Sequence, residues 1–276
     1  MSLVTFPKSV RNYLIAAVAL LLAGCGGKGQ VANDSPGKEA DSITVSAAVS
    51  LKDAFTEIGE IFREKTGKAI HFNFGASGVL QQQIENGAPV DVFASAGEKQ
   101  MDALADKQLI EPGTRSNFAR NSLVLIVPQR SEIPVSSFAD LTLPAVQKIA
   151  VGNPRTVPAG QYSNEALAKM GLSDKVASKL ILAENVRQVL EYVIRGEVDA
   201  GIVYSTDAKQ GGANVKIAAT ADEDTHSPIL YPIASIAEST QKAAGRQFID
   251  LVLSVEGQRI LANHGFAITG PANSNQ

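Results

Sequence analysis

The stretch ITVSAAVSLKDAFTEIGEIFREKTGKAIHFNFGASGVL, residues 43–80, decides how the chain is read. Ile43–Ala47 is a short apolar run that reads as a strand. Leu51, Ala54, Phe55, Ile58, Ile61 and Phe62 then recur at helical spacing, and Gly67 ends the run. Ile70–Phe74 reads as a second strand. A second helix is predicted from about Gly78 to Asn86, with Gly87 beyond its end. Repeated strand–helix–strand units imply a parallel-rich sheet covered on both faces.

At each strand-to-helix junction stands a serine among small residues: Ser50 in AAVSL and Ser77 in FGASGVL. One reading is a helix cap, because a serine oxygen accepts well from a first-turn N–H. Ser50-Leu51-Lys52-Asp53 comes close to a capping box, with Asp in place of Glu or Gln. The other reading starts from the flanks. Ala47, Ala48, Gly75, Ala76 and Gly78 leave the backbone approachable. A helix N-terminus offers unbonded N–H groups and the positive end of a dipole, which together suit an anion. Two such ends converging at one sheet edge would hold a small oxyanion without a cationic side chain.

The alternation continues outward. Val90–Ala94 reads as a strand, Glu98–Lys107 as a helix and 110–121 as irregular. Ser122–Val127 reads as a buried strand closed by Pro128. Strands at Lys148–Val151, Leu180–Leu182 and Ala200–Tyr204 alternate with helices near Ala159–Met170 and Val186–Arg195. Val215–Ala219 and Ile229–Ile236 are strand-like, and helices near Gln241–Leu253 and Glu256–Asn263 close the chain. This is an α/β pattern, and open α/β sheets bind ligands outside the carboxyl ends of their strands. The runs Leu123–Val127 and Leu230–Ile236 read as crossings, so the chain builds one lobe, then a second, then returns. The expected boundaries are 43–121 with 232–270 for the first lobe and 122–231 for the second. Hinges are expected near Asn121–Leu123 and Leu230–Pro232.

The N-terminus reads as targeting rather than fold. Lys8 and Arg11 precede the apolar run Tyr13–Leu22, which gives residues 1–24 the form of a signal peptide. Leu22-Ala23-Gly24-Cys25 resembles a bacterial lipobox, and Cys25 is the only cysteine of the chain. A lipidated Cys25 followed by a polar, Gly-containing tether through residue 41 implies export and anchoring at a bacterial membrane, facing the periplasm or the cell exterior. With Cys25 modified, no thiol remains for catalysis or redox chemistry. Loss of Lys8 and Arg11 lowers the 25 basic residues to 23 against 28 acidic ones, a net charge of −5. That balance argues against nucleic acid as a partner.

AAVSLKDAF, GASGVL, QIENGAPVDVFASAG, ARNSLVLIVP, GNPRTVPAGQYSNEAL, AENVRQVL and GIVYSTDA occur in this order. Together they resemble the periplasmic molybdate-binding proteins of ABC importers, from about Ile43 to Ile268. The resemblance implies a two-lobed periplasmic-binding-protein fold, each lobe a mixed, mostly parallel sheet flanked by helices, with the ligand in the interlobe cleft. It implies that Ser50 and Ser77 bind molybdate from the first lobe, and that the amides of Ala159 and Val186 and the hydroxyl of Tyr204 bind it from the second. Gly75 and Gly78 stand where relatives often carry further hydroxyls. The implied partners are an ABC permease and its ATPase. No cofactor and no metal beyond the oxyanion is implied, and the protein is expected to be a monomer. Tungstate, close to molybdate in size and shape, is expected to bind as well.

Chemistry supports the placements. Molybdate carries no proton at neutral pH and needs only donors, which hydroxyls and amides supply. Asn185 could cap the helix starting at Val186. Arg120, Arg155 and Arg187 lie near these motifs and read as surface or lobe-packing residues, and Asp53, Asp91 and Asp207 as caps or interface groups. The alternatives are a sulfate or phosphate receptor, a ferric-ion binder using Tyr204 and Tyr231, or a serine hydrolase. The last lacks Gly-x-Ser-x-Gly, since Val79 stands at the fifth place. His71, His226 and His264 show no metal-ligand spacing.

Overall fold

A computed structural model describes residues 42–268. The signal segment, Cys25 and the tether lie outside the described residues, as do residues 269–270 of the expected first lobe.

The decisive segment folds as its pattern dictates. Strand β1 (Ser42–Ala48) runs into a 3-10 turn (Val49–Leu51) and helix α1 (Lys52–Thr66). Ala54, Phe55, Ile58 and Phe62 form the buried stripe of α1. Gly67 ends it with a left-handed backbone, φ 72°, its N–H bonded to the Arg63 carbonyl at 2.8 Å. Strand β2 (Ala69–Gly75) then lies parallel to β1, followed by α2 (Ser77–Glu85), β3 (Val92–Ala94) and α3 (Glu98–Asp106). Next come β4 (Ser116–Arg120), β5 (Leu123–Pro128), β6 (Ile149–Gly152), α4 (Pro158–Lys169) and the single turn α5 (Ser173–Val176). The series β7 (Leu180–Ala183), α6 (Val186–Ile194), β8 (Ala200–Tyr204), α7 (Ser205–Gly211) and β9 (Val215–Thr220) follows. The described residues end with β10 (Leu230–Ser235), α8 (Lys242–Leu253), α9 (Val255–Asn263) and β11 (Ala267–Ile268).

The strands form two mixed sheets, in the order β11-β4-β10-β3-β1-β2 and β7-β6-β8-β5-β9. In the first, β1–β4 run one way and β10 and β11 oppose them. In the second, only β5 is reversed. The first sheet is sandwiched. Val92 and Ala94 of β3 face the core containing Phe55 and Phe248, while Phe93 between them packs with Leu80, Met101 and Leu104 of α2 and α3.

Two readings change. Neither apolar run expected to cross between lobes does so. β5 pairs only with β8 and β9, and β10 only with β3 and β4. The chain passes between sheets in the short connectors 121–122 and 221–229, so Leu230 and Tyr231 lie in the first sheet. The stretch read as irregular contains β4, which pairs with β10 and β11. No helix among the described residues is long and apolar enough to cross a membrane.

Candidate functional site

Ser50, Ser77, Ala159, Val186 and Tyr204 line one cleft between the two sheets. Each stands at or just beyond the carboxyl end of a strand: β1, β2, β6, β7 and β8 respectively. The cleft encloses about 200 Å³ of atom-free space, part of it open to solvent. No charged side chain is among its lining residues. Arg120 and Arg155 are exposed and outside that lining.

The capping reading of both serines is overturned. Ser50 sits inside the 3-10 turn, which has no side-chain cap, and Leu51 occupies the N-cap position of α1. Its Oγ lies 3.1 Å from the Tyr231 hydroxyl instead. Ser77 is the first residue of α2, one place beyond the N-cap, Ala76. Its Oγ accepts the Ala96 backbone N–H at 3.0 Å. That bond uses a lone pair, so the Ser77 proton is left for the cleft.

The second lobe presents amides. Pro158 opens α4, which makes Ala159 its second residue, and first-turn N–H groups lack partners within their own helix. Gly160 lets this end of α4 approach β6, since a Cβ there would lie 2.0 Å from the Gly152 carbonyl oxygen. Val186 begins α6, and Asn185 caps that helix as its position predicts, accepting from Gln188 N–H at 3.0 Å. The Tyr204 hydroxyl crosses to the first lobe and donates to the Ala96 carbonyl at 3.1 Å. Burial, with the neighbouring Tyr231, pushes the Tyr204 phenol well above its usual range and keeps it a donor.

Other contacts also join the lobes, and Arg187, Asp53 and Asp207 take the lobe-packing and interface roles read for them, though the sequence does not show their pairing. Gly78 donates its N–H to the Thr156 carbonyl at 2.9 Å, and a Cβ on it would lie 2.6 Å from that oxygen. Its glycine therefore serves the contact between lobes. Arg187 on α6 donates from Nη2 to Asp53 on α1 at 2.6 Å and from Nε to Asp207 on α7. The triad ties the first lobe to the second. Asp91 instead holds β1 to the segment after β10, accepting from Thr44 N–H at 2.7 Å and Ser239 Oγ at 2.6 Å. None of these pairings has a signature in linear spacing.

Asp207 is fully buried, and that burial pushes its carboxyl from 3.8 up to about 6 against the pull of Arg187. A raised folded-state value means the folded protein holds the proton more tightly. The associated stability is present below about pH 4 and is lost as pH rises through about 6. Relative to Asp207→Asn, the wild type should therefore lose on the order of 2–3 kcal/mol between about pH 4 and pH 7. Urea unfolding of both proteins across that range checks it. Parallel profiles would mean that Arg187 fully offsets the burial.

Comparison with known proteins follows the same lines. The family model of the bacterial extracellular solute-binding proteins matches residues 43–267. The chain is 40% identical over 258 residues to YvgL of Bacillus subtilis (strain 168), covering 92% of this chain and 97% of that protein. The name of YvgL assigns it provisionally to ABC transporter substrate-binding lipoproteins. It is 39% identical over 230 residues to the molybdate-binding protein ModA of Escherichia coli (strain K12), covering 82% of this chain and 89% of that one. Among solved structures, the periplasmic molybdate-binding protein of Azotobacter vinelandii superposes with a TM-score of 0.75 at 24% identity, covering 83% of this chain and all (100%) of that one. That likeness speaks for the fold.

Proposed function

Because the chain belongs to the bacterial extracellular solute-binding proteins, and within them to the molybdate-binding family, we propose that it captures molybdate in this cleft and delivers it to an ABC importer. A protein of this family binds a solute and is not an enzyme. The observation that carries the reading is the convergence of two serines, a tyrosine and two helix N-termini on one small cleft without a charged side chain. Such a lining offers donors to an ion that has only acceptors. Hydrogen phosphate carries a proton and would want an acceptor, which a carboxylate would supply and this lining lacks. A tyrosinate site for ferric ion would require ionised phenols, and burial pushes Tyr204 and Tyr231 the other way.

In this reading Ser50, Ser77 and Tyr204 donate their hydroxyl protons, and Ala159 and Val186 donate their amides. Tyr204 must then share or exchange its bond to Ala96. Tungstate occupies the same site. The protein works as a monomer, exported and held to a membrane through lipidated Cys25, and its closed form docks on a permease driven by an ATPase. The lobes close about the two connectors between the sheets, 121–122 and 221–229, rather than about residues 230–232.

Calorimetric titration with molybdate, tungstate, sulfate and phosphate tests the assignment. Tight binding of the first two and weak binding of the others is expected. Sulfate or phosphate binding as tightly as molybdate would overturn it. Gly78→Ala offers a separate check, because its methyl group would press on Thr156 and hold the lobes apart. It should weaken molybdate binding by about 1–3 kcal/mol, the usual cost of overpacking, through faster release measured by stopped flow. Its melting temperature should change little in the absence of anion.

A further inference from the structure

Behind Ser50, away from the cleft lining, lie two residues that none of the site assignments includes. Tyr231 on β10 is fully buried, and its Oη is 3.1 Å from Ser50 Oγ and 3.2 Å from Asn121 Nδ2. We propose that Asn121 and Tyr231 form a one-way hydrogen-bond relay that points the Ser50 proton into the cleft and so selects oxyanions that carry no proton. This rests on the reading of the cleft as a molybdate site and names its basis of selectivity.

The direction follows from counting protons. Asn121 accepts the Ser122 backbone N–H at 2.9 Å and the Ser205 hydroxyl at 2.8 Å on one side-chain atom. A backbone N–H can only donate, so that atom is the oxygen, and the amide orientation is fixed rather than free to flip. The nitrogen therefore faces Thr206 Oγ1, at 2.9 Å, and Tyr231 Oη. An amide nitrogen can only donate, so Tyr231 Oη accepts. A phenol has one proton, and with Asn121 donating to Oη that proton turns to Ser50 Oγ. The neighbouring Tyr204 hydroxyl donates to the Ala96 carbonyl and also meets the Tyr231 hydroxyl, a contact that holds the Tyr204 proton in place, so Tyr204 faces Tyr231 as a donor and Ser50 Oγ is the acceptor left for the Tyr231 proton. Ser50 Oγ then accepts from Tyr231, and its own proton is left for the cleft it lines.

Burial keeps the relay charged with protons, since it pushes the Tyr231 phenol well above its usual range. Ser77 reaches the same state by a different route, because its Oγ accepts the Ala96 N–H. Both serines thus meet the ligand as donors. An anion bearing a hydroxyl would set its own proton against one of theirs, and an unmet buried donor is costly. Asn121 lies at the connector between the sheets, and its partners Ser205 and Thr206 belong to the second lobe while Tyr231 belongs to the first. The relay is therefore assembled only where the two lobes meet.

Asn121→Asp tests the relay by reversing it. The substituted carboxylate can still accept from Ser122 and Ser205, but its other oxygen now accepts from Tyr231. The Tyr231 proton turns away from Ser50, the Ser50 proton turns back to Tyr231, and a Ser50 lone pair faces the cleft. Molybdate binding and its displacement by inorganic phosphate are measured in mildly alkaline buffer, where both ions are dianions. The added negative charge then weakens both alike and cancels in their ratio. The molybdate-over-phosphate preference should fall by about tenfold or more. Tyr231→Phe removes the donor to Ser50 without adding charge and should lower the preference by a smaller factor, which keeps the test open if the Asp variant folds poorly. Both anions weakened equally in both variants would reduce Asn121 and Tyr231 to structural residues and overturn the relay alone. Wild-type protein that fails to bind molybdate would overturn the reading of the cleft, and the relay with it.

Discussion

Replacing both cleft serines, Ser50→Ala with Ser77→Ala, is expected to cost molybdate binding about a hundredfold to ten-thousandfold while the protein stays folded. A hydrogen bond to a charged partner is worth about 1.5–3 kcal/mol, and each 1.4 kcal/mol is about a factor of ten in affinity. Two hydroxyls on one anion set the range, and its upper end assumes that their effects add. The stability cost is smaller and unequal. Ser50→Ala leaves Tyr231 still bonded to Asn121, whereas Ser77→Ala strands the Ala96 N–H and should lower the melting temperature slightly. Calorimetry and the anion-induced shift in melting temperature read the two effects separately. Full affinity with reduced stability would mean that the serines serve only the fold.

Phe55→Ala should produce the largest loss of stability. Phe55 is fully buried, and its ring packs against those of Phe118 at 5.7 Å, Phe248 at 5.5 Å and Phe72 at 6.3 Å. These come from β4, α8 and β2, so one side chain joins pieces of the first lobe far apart in the chain. Truncating such a residue costs about 3–5 kcal/mol, because the cavity cannot be filled from every side at once. The shift in urea midpoint measures it. Val255→Ala is the control: that side chain is 89% exposed, and its removal should change stability by about 0.5 kcal/mol or less.

The elements that periodicity governs were legible. α1 shows its buried stripe, and β1, β2, β5 and β8 are uninterrupted or alternating apolar runs, so their order follows from the sequence, whereas the division into two lobes rested on the resemblance and on two runs that do not cross. β4 was not legible. SNFAR has only Phe118 and Ala119 facing the core, and its strand character comes from pairing with β10 and β11 rather than from its own composition. Of the two readings of the serines, the structure removes the cap, because Leu51 and Ala76 hold the N-cap positions. A capping box is a statement about four consecutive residues, whereas the partners that hold Ser50 and Ser77 are Tyr231, 181 positions away, and Ala96, 19 positions away. Tyr204, Ala159 and Val186 stood out only through resemblance, because an amide at a helix start has no side-chain signature. Tyr231 was weighed only as a cation ligand, and nothing short of the folded sheet places it behind Ser50.

The strand order of the first sheet has a consequence in time. β10 separates β3 from β4, and β4 pairs only with β10 and β11. As the chain emerges from its N-terminus, β1, β2 and β3 can associate early, but β4 has no neighbour until residues 230–235 follow. The second sheet, by contrast, is complete once residue 220 is out. The second lobe should therefore be the first cooperative unit to close, with the first lobe waiting on contacts between distant parts of the chain, which form slowly. A chain with that schedule remains open through most of its emergence, a condition that suits passage across a membrane before folding. It also places the assembly of Ser50, Tyr231 and Asn121 among the last steps of maturation.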